Sequence, residues 1–141
     1  MRYSFILKTV FLICLSIFAT SCKEDPQRHL ELGEWYAKKG LVDDAILEFK
    51  EVTRLYPATS NDLNRDEFRS LSQAHYNLSL MYTKKGWWDY ALKEAEICFQ
   101  LQPTKKHFEL LDLIKKGLSL RVLILELNCS RPVLSTVTIN Y

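Results

Sequence analysis

Histidines, cysteines and adjacent carboxylates are the side chains of this chain whose types first suggest chemistry. His29 and His75 lie 46 residues apart in two similar stretches, His107 opens a later one, and the four cysteines are Cys14, Cys22, Cys98 and Cys129. A zinc centre would need a local ligand set such as His-Glu-x-x-His or Cys-x-x-Cys, and neither spacing occurs. The four glycines are isolated, so no loop is built to cradle a phosphate. Asp43-Asp44 looks like a carboxylate pair for acid–base work, but it opens a helical segment, where negative charge favours the helix dipole. His29 and His75 hold equivalent places in the two stretches, where packing rather than metal ligation is expected; His107 could face solvent. With no nucleophile–base pair, metal set or cofactor loop, the expectation is a protein that binds rather than catalyses, with no cofactor.

The elements that must hold these residues follow from composition and pattern. The 141 residues carry 19 Lys plus Arg against 17 Asp plus Glu, and 48% of them are hydrophobic, 12% aromatic. That content suits a packed core and excludes a disordered chain. The excess charge belongs to Arg2 and Lys8, the only charges before Lys23, so the remainder is formally neutral. A neutral domain lacks the basic cluster that nucleic-acid binding requires.

Residues 1–21 read as a short basic region, an apolar run from Thr9 to Ala19, and small residues at Thr20 and Ser21. That is the build of a secretory signal peptide, and a run of about 11 apolar residues is shorter than the roughly 20 that a transmembrane helix needs. Ala19-Thr20-Ser21-Cys22 resembles the bacterial lipobox, with Ala19 in the place usually held by Leu, Val or Ile. The resemblance implies a lipoprotein cleaved before Cys22 and acylated on its thiol, anchored by several chains. Lys23 stands where enteric lipoproteins retained in the inner membrane have Asp, which implies the outer membrane. Lys23-Glu24-Asp25 also resembles the surface-export signal of Bacteroidetes-type lipoproteins, so the periplasmic and surface faces both stay open. Residues 22–27 then form a polar tether.

Beyond the tether the chain repeats itself. Tyr36-Ala37-Lys38-Lys39-Gly40 recurs as Tyr82-Thr83-Lys84-Lys85-Gly86, each followed by an acidic turn and an Ala at the same offset, Ala45 and Ala91. Aligned on these, Leu32, Gly33, Tyr36, Gly40, Ala45, Phe49, Val52 and Pro57 match Leu78, Ser79, Tyr82, Gly86, Ala91, Ala95, Cys98 and Pro103. The pattern resembles the tetratricopeptide repeat (TPR), a two-helix unit of about 34 residues. The first unit, 26–59, agrees at six of eight signature positions, with His29 for Trp and Val52 for Ala; the second, 72–105, agrees at four, with Ser79 and Cys98 keeping small size. The implied fold is all-α, an α-solenoid of two helical hairpins. Small residues would let the paired helices approach while Leu78, Tyr36, Phe49 and Tyr82 fill the gaps, and Pro57 and Pro103 would end each second helix.

Twelve residues, 60–71, separate the units, and Asn64 with Glu67 reads as a capping box. With Phe68, Leu71, His75 and Leu78 in helical spacing, one long helix over about 65–85 is predicted. A third helix, 106–118, carries Phe108, Leu111, Ile114 and Leu118 as an apolar stripe but loses the repeat register, as a capping helix would. Residues 119–141 form an apolar, β-branched tail. It could continue the helix and end in a strand or loose tail, bind a membrane or partner, or result from a reading-frame change; docking on the hairpins or a partner is expected, since an exposed apolar tail invites aggregation. Cys98 and Cys129 could pair in an oxidising envelope.

The resemblance implies a groove along the first helix of each unit, lined by Gln27, Leu30, Glu34, Ala37 and Lys38, then Gln73, Tyr76, Leu80, Thr83 and Lys84, with Trp87 in the following turn and Trp88 packed. With only Lys38 and Lys84 facing Glu34, a clamp for a terminal carboxylate is disfavoured. An apolar centre of Leu30, Tyr76 and Leu80 suits a peptide. The implied function is a lipid-anchored envelope adaptor for another protein. The alternatives are a structural subunit that homodimerises through its tail, or an accessory subunit of an outer-membrane assembly, pilus-secretin or peptidoglycan-associated system. Cys22→Ser should abolish palmitate labelling and membrane retention, measured by metabolic labelling and fractionation; persistent labelling would sink the lipoprotein reading.

Overall fold

The computed structural model describes residues 24–56 and 62–129. They are all-α: α1 (Pro26–Lys39), α2 (Val42–Leu55), α3 (Arg65–Lys85), α4 (Trp88–Leu101) and α5 (Lys105–Cys129), with no strand among the described residues. The leader 1–21, Cys22, Pro57, the first two positions of the 60–71 insert, and residues 130–141 of the tail lie outside the described residues.

Local chemistry sets the helix ends. Asp25 Oδ1 accepts from the Gln27 N–H at 3.0 Å and Pro26 takes the first turn of α1, where its missing N–H costs nothing. Asn64 accepts from the Asp66 and Glu67 N–H groups while Glu67 accepts from the Asn64 N–H, a complete capping box that starts the 21-residue α3. α1 and α3 both stop at glycines in the left-handed region, Gly40 at φ 78° and Gly86 at φ 73°. There a Cβ would strain the backbone, and the caps return hydrogen bonds to the last turn. Asp43 and Asp44 occupy the first turn of α2, where they offset the dipole of a helix that lacks a side-chain cap.

α1 packs antiparallel on α2 and α3 on α4; α2 packs on α3, α4 on α5, and α1 also touches α3. The core runs through these contacts, from Ile46, Phe49 and Val52 to Leu78, Met81, Ala91, Ala95 and Ile114. A close approach lies in the first hairpin, where a Cβ added to Gly33 would sit 2.6 Å from Cε1 of Phe49. At the same places in the second hairpin stand Ser79 and Ala95, both buried. The glycine–phenylalanine pair of the first hairpin is thus replaced in the second by two small buried residues. Tyr36 and Leu32 are half-buried, whereas Ala45, Ala91, Leu78, Tyr82 and Cys98 are buried; Pro103 is exposed in the turn before α5.

α5 departs from expectation in length, in register and in what covers it. It is helical through Cys129, well past 118. Its inward face is His107, Leu110, Leu111 and Ile114, while Phe108 is exposed at the rim against Phe99, ring centroids 6.1 Å apart. His107 is therefore buried rather than solvent-facing. Residues 119–127 are all exposed; this part of the tail touches the second hairpin through Arg121 Nη1, which donates to the Gly86 carbonyl at 3.4 Å, and buries no apolar side chain there. The cause is geometric. The 14 residues of α4 make a rod of about 21 Å against about 37 Å for the 25 of α5. Trp88, the first residue of α4, already lies opposite Gly117, where a Cβ would come within 2.6 Å of its ring. Beyond that point α5 has passed the end of α4, and Arg121 reaches back to the Gly86 carbonyl.

The Gly33–Phe49 contact yields a coupling test by urea unfolding. Gly33→Ser should cost about 1–3 kcal/mol by overpacking and Phe49→Ala about 3–5 kcal/mol. The double variant, which copies the Ser79–Ala95 arrangement, should lose less than the sum; strict additivity would refute the close-approach account.

Candidate functional site

The side-by-side placement of α1 and α3 leaves a shallow open groove of about 280 Å³. Glu34, Ala37 and Lys38 form one wall from α1, Asn77, Leu80 and Met81 the other from α3, and the Phe49 ring lies beneath. The walls are held at the far end by Ser70 Oγ donating to Gln27 Oε1 at 3.1 Å. Gln73 Nε2 donates to Asn77 Oδ1 at 3.1 Å, while Asn77 Nδ2 is buried and has no hydrogen-bond partner in the structure. The groove is thus a largely apolar strip of Ala37, Leu80 and Met81 over the Phe49 ring, with Glu34 and Lys38 of opposite sign along its edge.

The residues expected in the groove divide into three groups. Glu34, Lys38 and Leu80 line it, and Ala37 with them. Leu30 does not: it is 6% exposed and packs into the core. Tyr76 is half-covered from the other side, since Lys106 Nζ sits 3.9 Å above its ring and His107 lies 5.6 Å from it centroid to centroid. The start of α5 thus covers the aromatic that the apolar centre was expected to present, and burial pushes the Tyr76 phenol up. Thr83 turns its hydroxyl back to the Ser79 carbonyl at 2.8 Å, and Lys84 is exposed. Trp87 sits with Lys50, Tyr82 and Tyr90 around a second depression of about 370 Å³, with Lys85 Nζ 5.4 Å above its ring. Since Lys50 and Tyr90 belong to α2 and α4, that depression involves the second helices, whereas the groove is walled by the first.

Two contacts escaped the sequence reading. His29 Nδ1 lies 2.6 Å from Glu48 Oε2, and His75 Nδ1 lies 2.6 Å from Glu94 Oε2. With the carboxylate accepting, the ring N–H donates, and each pair staples the first helix of a hairpin to the second. The signal was present in the sequence: Glu48 and Glu94 share the 46-residue offset of the histidines. The described residues hold no cluster of three or more His, Cys, Asp or Glu side chains able to hold a metal ion.

Cys98 is a free thiol, buried, whose Sγ donates to the Ser72 carbonyl at 3.4 Å and lies 3.8 Å from Ser72 Oγ. Burial pushes this thiol up, outweighing the Ser72 hydrogen bond and Lys106 that pull it down. Neither a protein-family model nor a curated protein matches the chain.

A thiol held protonated and out of solvent should react only when the fold opens. At pH 8, iodoacetamide should modify Cys98 roughly 100-fold more slowly in the native chain than in urea, read on the Cys98 peptide by mass spectrometry. The raised value also means that this stabilising contribution is complete below the ordinary thiol range and is lost as pH rises through the raised one. Equal labelling rates in the two states would contradict both statements.

Proposed function

We propose that the protein is a lipid-anchored adaptor of the bacterial cell envelope, built as a two-unit TPR array that holds another protein through the α1–α3 groove. The observation that carries this reading is the groove itself: an open apolar strip of Ala37, Leu80 and Met81 with charges of both signs at its edge. An extended or helical peptide offers the carbonyls and apolar side chains that such a strip takes up. The repeat resemblance supports it through paired packing positions, Gly33 with Phe49 and Ser79 with Ala95, at one offset.

The lipobox-like sequence supplies the anchor in this reading. Cys22 stands four residues before Pro26, so the tether spans at most about 14 Å, and the outer membrane is the proposed destination. No helix among the described residues is long and apolar enough to cross a membrane. A covalent lipid would then hold the domain to the bilayer.

The partner is identified by cross-linking in the native envelope. Leu80→Arg, alone and with Asn77→Leu, should reduce its recovery by about 10-fold or more while helicity by circular dichroism stays unchanged, because Leu80 is only half-buried. Full recovery with both substitutions would remove the groove from the function.

A further inference from the structure

The free length of α5 carries a second, independent surface. Leu120, Leu123, Ile124 and Leu127 recur at the i, i+3, i+4, i+7 spacing of one helix face, and each is 54–69% exposed. The inward face of α5, with Leu110, Leu111 and Ile114, looks the other way onto the hairpins. The outward stripe therefore lies clear of the packing that holds the fold. These four side chains leave roughly 300 Å² of apolar surface in water, the size of the largest patch on a typical monomer. That is more than half of the apolar share of a standard interface of ~800 Å² per partner.

We propose that α5 is a dimerisation helix on which a second copy of this chain packs antiparallel, with the two-fold axis between Leu123 and Ile124. The stripe reads the same in both directions: Leu120 and Leu127 are equidistant from the midpoint, and Leu123 and Ile124 flank it. Under that axis Leu120 meets Leu127 of the other copy and Leu123 meets Ile124, so one patch is its own complement, as an isologous contact requires. Room is available as well. The overlap spans residues 120–127, along which the hairpins touch α5 through Arg121 on the face away from the stripe, so the two bodies lie at opposite ends of the helix pair. Arg121 stays outside the seam, its Nη1 directed to the Gly86 carbonyl of its own chain at 3.4 Å.

The test uses the full-length chain in its host membranes, carrying Cys129→Ser, and a short bismaleimide cross-linker. Leu123→Cys should give a cross-linked homodimer absent from the Cys129→Ser parent. Leu120→Cys and Leu127→Cys should give one only when the two variants are co-expressed. Adducts of residue 123 solely with a different protein, or no dimer adduct although a monomaleimide labels residue 123, would each overturn the proposal. In a second arm, Leu123→Asp should weaken the dimer of the detergent-purified chain about 100-fold by sedimentation, since each dimer loses two buried leucines. Its helicity should be unchanged, because Leu123 is exposed within one copy. An unaltered dimer constant would overturn the proposal too.

Discussion

The distance between the two helices of each hairpin is the constraint on which the rest depends. In the first hairpin it is set by Gly33, whose missing Cβ admits the Phe49 ring; in the second, Ser79 and Ala95 share the space. In both hairpins a histidine–glutamate pair closes at 2.6 Å across helices that meet through different side chains. A Cβ at position 33 would have to displace the Phe49 ring that lies 2.6 Å away.

The same spacing determines which polar groups are left over. α3 must contact both α2 and α4, so one face of it is committed to the core through Leu78, Met81 and Tyr82. The adjacent edge meets α1 only loosely, and there Asn77 keeps an unpaired amide. At the other margin Lys85 reaches Asp43 at 2.8 Å, tying the end of α3 to the start of α2. That surface ion pair adds little stability, but it joins the turn of one hairpin to the other. The groove is open because α1 and α3 are held mainly through α2, not through each other.

Helix ends were legible in the sequence because they depend on neighbours in the chain. Asn64 and Glu67 cap each other within four residues, and Gly40 and Gly86 end helices by backbone conformation alone. The position of Leu30 was not legible, since its burial depends on how far α3 leans on α1. Nor was the inward face of α5: local periodicity allows Phe108 or His107 to point inward, and only the seat beside Tyr76, with a 2.7 Å hydrogen bond from His107 Nδ1 to the Gln102 carbonyl, decides for His107. The overhang depends on two helix lengths at once. No single segment contains that information.

Those lengths also order the molecule from end to end. The start of α1 is fixed near the end of α2, where Arg54 pairs with Glu24 at 2.5 Å, and near the early part of α3 through Gln27 and Ser70. The Gly40 and Gly86 turns, and the Arg121 contact where α5 leaves the hairpins, lie at the opposite edge. About 21 Å, the length of α1, separates the two edges. With a lipid on Cys22, as proposed, the polar start of the domain faces the bilayer and the leucine stripe lies on the side away from it. A lipid surface is then poorly placed to cover the stripe, and a protein surface is well placed.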